Sequence, residues 1–153
     1  MSGTNAAAVK VRLVGSESVL RGLPGIGDVQ VFYDAPPGDK APREYICGVG
    51  DVEGEPDLAA MRGSSRNPRT EDLTTKLEVR VYRPGESTRE AGDLRATEIG
   101  AVIIQWIAAN PKLGDLPELK LAKVVNVNLR GGLDDDGATS SFVITVSFLS
   151  VLH

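Results

Sequence analysis

The sequence predicts a single α+β domain over residues 1–153, in which a mostly antiparallel β-sheet packs against one long amphipathic helix and a shorter N-terminal helix. Three patterns favour this fold class. Apolar and polar residues alternate at 75–83, as in a strand with one buried face. An apolar stripe at helical spacing follows at 99–107, and two further alternating segments at about 118–151 predict a C-terminal β-hairpin. At this length the chain can bury one core and is short for two full-sized domains.

The N-terminal segment at 6–20 fits two patterns. Val9, Leu13 and Leu20 fit a helical stripe, whereas Val9, Val11 and Leu13 alternate as they would in a strand. The run of three alanines at the start of the segment and the polar Ser-Glu-Ser break within it favour a short helix.

Two short strands are predicted next, at 29–33 and 43–49, and a turn rich in proline and glycine separates them. The strictly alternating strand described above then places Leu77, Val79 and Val81 on one face and charged residues on the other. We expect the apolar face to lie on the core.

A polar stretch at about 51–72 is rich in Gly, Arg, Ser and Pro and is predicted to form a long loop. A loop of this length in a compact domain is usually disordered or functional. Within it, Arg62, Arg66 and Arg69 form a small basic cluster. This cluster is the candidate partner-binding site, for DNA or for an acidic protein surface. The alternative is a solvated loop whose charges interact mainly with water.

One long helix is predicted to begin at Ser87 and to stop before Pro111. Ser87 and Glu90 have the spacing of a capping box, in which the two side chains accept hydrogen bonds from unpaired backbone N–H groups. The large apolar residues of this helix are Leu94, Ile99, Val102, Ile103, Trp106 and Ile107. The last five recur at intervals of three and four, so we expect the helix to lie on the sheet with Ile103 and Trp106 buried.

The hairpin strands are predicted at about 118–130 and 142–148. The apolar residues in phase along the first strand are Leu119, Leu121, Val125, Val127 and Leu129. Three consecutive aspartates follow at the hairpin tip: Asp134, Asp135 and Asp136. A calcium loop needs inward-pointing ligands at alternate positions and a later glutamate. Three consecutive aspartates cannot all point at one ion without unusual backbone geometry, and residues 137–148 contain no glutamate. A turn explains the same residues more simply, because glycine supplies positive φ and aspartate accepts backbone hydrogen bonds.

The residue inventory favours a protein that is not an enzyme and needs no cofactor or metal. The only histidine is the terminal His153, and the single cysteine, Cys47, lies in an apolar strand-like segment, where we expect a small buried side chain. A nucleophile, base and orienting residue can be assembled only around carboxylates. The net charge of −4 is opposite to the surplus of Lys and Arg expected of a protein that grips nucleic acid. The longest apolar stretch, 101–109, is too short to cross a bilayer, and the N-terminus does not have a signal-peptide pattern, so no membrane partner is expected.

The order of these elements follows a known plan. A short N-terminal segment and a proline-rich turn precede PREYICGVG at 42–50, a polar excursion and LEVRVY at 77–82. One amphipathic helix and a hairpin that ends in FVITVSF at 142–148 follow. This layout resembles the tail terminator proteins of long-tailed phages over most of the chain. The resemblance rests on element order and loose residue patterns, and the polar loop departs from the shortest members of the family.

The resemblance implies a structural virion protein. Such proteins form a homo-oligomeric ring, typically a hexamer, that caps the head-proximal end of the tail tube, ends its polymerisation and offers a surface to the head connector. The implied partners are other copies of the chain, the tail tube protein and the connector, while DNA passes through the ring without sequence-specific binding. The implied location is the virion tail, after assembly in the host cytoplasm. Two alternatives stay open: a head–tail connector, stopper or adaptor protein, and a carboxylate-metal hydrolase that uses the three aspartates.

Overall fold

The computed structural model describes residues 5–56, 69–117 and 119–152. Within these ranges the chain forms one sheet, one longer helix and one shorter N-terminal helix, which confirms the predicted α+β class. In chain order the elements are α1 (Ala6–Val14), β1 (Gln30–Phe32), β2 (Glu44–Pro56), β3 (Arg69–Pro84), α2 (Glu90–Ala109), β4 (Leu119–Asp134) and β5 (Gly137–Leu152).

The five strands form one sheet in the order β1-β2-β3-β5-β4. β1 runs parallel to β2, and every other neighbouring pair is antiparallel. β3 and β5 pair without interruption from Arg69 opposite Leu152 to Pro84 opposite Gly137. The predicted apolar face of β3 is buried through Leu77, Val79 and Val81. β3 has a neighbouring strand on each side and helices over one face. The alternation of apolar and polar residues in its sequence therefore matches the alternation of its side chains between the helix-covered face and the other face.

α2 covers one face of the sheet through residues that recur every four positions. Ile99, Ile103 and Ile107 are each fully buried. The helix approaches β5 closely, because a Cβ atom at Gly100 would lie 2.4 Å from the ring of Phe142. This helix–sheet contact therefore requires a residue without a side chain at position 100.

α1 packs on the same face, against β2. Its buried residues are Val9, Leu13 and Val14. A Cβ atom at Gly48 of β2 would lie 2.9 Å from Cε of Lys10 and 3.2 Å from a methyl group of Val14, so the bare backbone at Gly48 makes room for the helix. The short N-terminal helix is thus confirmed, and it ends well before residue 20.

The predicted capping box is wrong. α2 begins at Glu90 with Arg89 in the N-cap position, and no side chain caps it, so Ser87 lies outside the helix. The acidic residues Glu90 and Asp93 in the first turn favour this end of the helix through its dipole. Asp93 also accepts a hydrogen bond of 2.6 Å from Oγ of Ser140, which ties the start of α2 to β5.

Trp106 is only partly buried, at the border of the core, which corrects the expectation that its whole side chain is covered. Helical spacing explains the difference. Ile103 and Ile107 lie at the centre of the buried stripe, whereas Trp106 and Val102 lie on its flank. Leu94 is 67% exposed.

The predicted loop at 51–72 is wrong at both ends, where the chain is paired strand. β2 continues to Pro56, β3 begins at Arg69, and the two strands pair with each other in these extensions. Residues 57–68 lie outside the described residues. The polar composition of the extensions suggested a loop, but backbone pairing with a neighbouring strand does not depend on apolar side chains.

Candidate functional site: the exposed β4 edge

β4 forms one edge of the sheet. It pairs with β5 from Leu119 opposite Ser150 to Asp134 opposite Gly137, and no strand pairs with its other side among the residues that the structure describes. The strand has 16 residues. At about 3.3 Å per residue its length is roughly 50 Å. An edge strand of this kind presents unpaired backbone N–H and C=O groups, which can pair with another chain.

The β4 edge also carries apolar side chains in contact with solvent. Five of them are between 41% and 54% exposed: Leu121, Val125, Val127, Leu129 and Leu133. By contrast, Leu119 and Ala122 are each 2% exposed. The in-phase apolar residues of this strand therefore do not form one buried face.

Two irregularities in the pairing of β4 with β5 break the predicted alternation, one between Leu119 and Leu121 and one between Val124 and Asn126. Each inserts an extra residue into β4, so the residues beyond it change faces. One sign of this was present in the sequence, because Lys123 occupies a position in phase with the predicted apolar series.

α2 contacts both β5 and β4, but it leaves part of β4 uncovered. Val127 lies opposite Ile144 and Leu129 lies opposite Phe142, so all four side chains point to the face that carries the helix. Ile144 is 0% exposed and Phe142 is 7% exposed, but Val127 is 46% exposed and Leu129 is 41% exposed. An apolar row beside an unpaired strand is typical of a surface that contacts another protein chain.

On the opposite face, a buried carboxylate links the edge to the centre of the sheet. Glu78 of β3 lies 2.9 Å from Nη2 of Arg80 and 3.4 Å from Nη2 of Arg130, and its side chain is 5% exposed. Arg130 belongs to β4, and its side chain stays 58% exposed. Lys120 and Lys123 of the same strand are exposed as well. The β4 edge is therefore both apolar and basic.

The aspartates at the hairpin tip build the turn between β4 and β5. Oδ1 of Asp134 accepts hydrogen bonds from the backbone N–H groups of Asp136, at 2.8 Å, and Gly137, at 2.9 Å. The carbonyl oxygen of Asp136 accepts a hydrogen bond of 2.8 Å from the N–H of Gly85, at the end of β3. Within the described ranges, no group of three or more His, Cys, Asp or Glu residues is arranged to hold a metal ion. This geometry favours the turn over the calcium loop.

Cys47 lies in β2 and is fully buried, as predicted. Burial, and after it the nearby Glu78 carboxylate, raise the pKa of its thiol to about 11. The thiol is therefore protonated near neutral pH and contributes a small side chain to the interior. His153 lies outside the described residues.

The predicted arginine cluster falls largely outside the described part of the chain. Arg62 and Arg66 belong to the segment at 57–68, which is not described. Arg69 is the first residue of β3, and its backbone lies opposite Leu152. Partner binding by these three arginines stays a prediction.

No protein-family model matches this sequence, and no curated protein matches it either. In the ranges that the structure describes, no helix has the length and apolarity needed to span a membrane. The candidate site is therefore defined by the geometry of the β4 edge.

Proposed function

We propose that this chain is a structural protein that assembles with copies of itself into a ring and caps the tail tube of a long-tailed phage. The observation that carries the proposal is the β4 edge, a 16-residue strand with an apolar row in contact with solvent. A strand like this exposes both backbone groups and apolar surface to uncontrolled association, and a specific neighbouring chain removes that exposure.

A ring can cover every such edge. β4 and β1 lie at opposite sides of the sheet, so a contact between the β4 edge of one copy and the other side of the next copy joins different surfaces. Contacts of this heterologous type close into a ring when the rotation per copy divides a full turn, and otherwise they extend as a filament. The resemblance favours the closed form, with six copies.

The position at the tube end rests on the resemblance in element order. The described order of short helix, β1 to β3, long helix and terminal hairpin keeps the plan on which that resemblance rests. In this proposal one face of the ring binds the last tube ring and the other binds the head-side connector. The net charge of −4 suits a channel for DNA, because a surplus of cationic groups would hold the phosphate backbone in place.

The experiment is tube polymerisation in the presence of the purified protein. A growing tube always offers another identical binding surface, so it stops only when a subunit binds without recreating that surface. We expect the protein to halt growth and to remain bound at one end of each tube. The double variant Val127→Ser/Leu129→Ser is tested in parallel. It removes apolar surface from the β4 edge, so it should cap tubes poorly at the same concentration.

A phage that lacks the protein provides the complementary test. We expect intact heads and unjoined tails whose tubes are abnormally long or unstable at the head-proximal end. If tubes keep their normal length and the heads instead fail to retain DNA, the terminator proposal is wrong and the head-side connector takes its place.

A further inference from the structure

We propose that the β4 edge binds a second copy of this chain at a particular place, the outer edge of β2. The two segments that would pair are residues 119–125, the basic half of β4, and residues 49–56, the β2 arm. Beyond them, Val127 and Leu129 run on towards the neighbour's β1, which lies beside the start of β2, and can pack there. This inference deepens the proposed ring and rests on it, because it names the surfaces that join neighbouring copies.

The β2 arm is a second open edge of the sheet. β1 pairs with β2 only from Gln30 opposite Tyr45 to Phe32 opposite Cys47. β2 then continues to Pro56 with β3 along its inner side; the pairing is irregular between Val49 and Glu53 and regular from Glu53 to Pro56. In the parts of the chain that are described, no strand lies along the outer side of the β2 arm. Among the described residues the sheet thus has unpaired edges on opposite sides, and the backbone N–H and C=O groups of one edge can pair with those of the other.

The two open edges carry opposite charge. Asp51 and Glu53 are exposed on the β2 arm, and Lys120 and Lys123 are exposed on the basic half of β4. Opposite charges on facing strands stabilise their pairing, whereas like charges oppose it. Pairing of two β4 edges would bring lysines together, so the charges favour the unlike contact.

Glu53 and Lys123 also occupy the two ends of one row across the sheet. Glu53 lies opposite Thr74, Thr74 lies opposite Ser147, and Ser147 lies opposite Lys123. Directly opposite residues point to the same face of a sheet, so Glu53 and Lys123 share a face. A sheet that continues from one copy into the next along this row brings Lys123 beside the neighbour's Glu53.

The strand directions agree with this arrangement. Three successive antiparallel pairs separate β2 from β4, so these two strands run in opposite directions within one copy. Rotation about a ring axis that lies roughly along the strands keeps the direction of every strand. The β4 strand of one copy therefore meets the β2 arm of the next in antiparallel orientation, which gives the more stable ladder of hydrogen bonds.

Charge reversal tests the pairing of Glu53 with Lys123. Lys123→Glu and Glu53→Lys should each lower the association constant, measured by sedimentation velocity, by about fivefold or more, because each replaces an attraction by a repulsion. The combined variant should recover association to within about twofold of the parent, since the pair is restored with its charges exchanged. Lys40→Glu is the matched control for Lys123→Glu, because Lys40 is exposed between β1 and β2, outside both pairing segments, and its reversal changes the net charge equally.

A disulfide trap tests the register directly. In one chain, positions 53 and 123 are separated by three strand spacings of about 4.8 Å, roughly 14 Å in all, which is too far for a disulfide. In the double variant Glu53→Cys/Lys123→Cys, oxidation should therefore link different copies into a ladder that ends at the ring size. The buried Cys47 does not compete. The control variant Glu53→Cys/Asp136→Cys pairs the arm with the hairpin tip and should give no ladder.

The outcomes separate this inference from the proposed function. Rescue by the combined charge variant together with a disulfide ladder supports the β4–β2 contact. If oligomers form but neither charge reversal nor the cysteine pair affects them, the β4–β2 contact is refuted and the proposed ring is not. A ladder that lengthens without closing supports the contact and refutes the ring. A protein that stays monomeric at high concentration and gives no ladder contradicts both.

Discussion

The apolar row of β4 provides the most direct test of the assembly surface, through the variant Val127→Ser/Leu129→Ser. Burial of a whole Val or Leu side chain contributes about 1.5–3 kcal/mol. Val127 is 46% exposed and Leu129 is 41% exposed, so a neighbouring chain can still cover somewhat less than half of each. The two residues together should then stabilise the contact by about 1.5–2.5 kcal/mol, and their loss should lower the association constant roughly tenfold to seventyfold.

Sedimentation velocity over a concentration series measures that change, and urea unfolding measures whether the monomer is still folded. The matched control is Leu94→Ser, which removes a 67% exposed apolar side chain from α2, away from the β4 edge. We expect this control to associate as the parent does. If both variants associate equally well, or if the control weakens association as strongly, the apolar row of β4 is not the contact surface.

Three further predictions concern the folded monomer. Ile103→Ala should lower the free energy of unfolding by about 2–5 kcal/mol, because it leaves a cavity under α2. Urea unfolding followed by Trp106 fluorescence measures this change. A loss below about 0.5 kcal/mol would contradict core packing at Ile103. Burial raises the pKa of Cys47 from 9.0 to about 11, because the folded protein favours the neutral thiol. The free energy that this preference adds to folding is fully present below pH 9 and is lost as pH rises towards 11. Over that interval the parent should lose up to about 1.4 kcal/mol per pH unit relative to Cys47→Ala, and parallel stability curves would exclude the effect. Asp134→Ala removes the acceptor of two backbone N–H groups at the hairpin tip and should cost about 1–2 kcal/mol; unchanged hydrogen exchange of the Gly137 amide would show that the turn does not need this carboxylate.

The elements that were predicted well are those whose apolar residues recur without interruption and whose apolar side is packed directly against another element. The alternation of Leu77, Val79 and Val81 was sufficient for β3, because that strand is flanked by strands on both sides. The stripe through Ile103 and Ile107 was sufficient for α2, because that side of the helix packs directly on the sheet. The ends of helices and strands were harder to predict than their centres. Arg89 gives no capping signal, and the extension of β2 to Pro56 depends on a partner strand that is distant in sequence.

The β4 edge shows where local sequence stops being informative. The sequence by itself determined that β4 is a strand of a C-terminal hairpin and that the aspartates at its tip form a turn, because alternation and turn chemistry are local properties. It did not determine which apolar residues of β4 meet water. Tertiary structure alone decided that, through two pairing irregularities that shift the side chains between faces and through a helix that contacts β4 but leaves Val127 and Leu129 exposed. The physical reason is that a side chain's burial depends on which elements pack over it, and the helix that buries Ile144 and Phe142 leaves Val127 and Leu129 of the same face exposed.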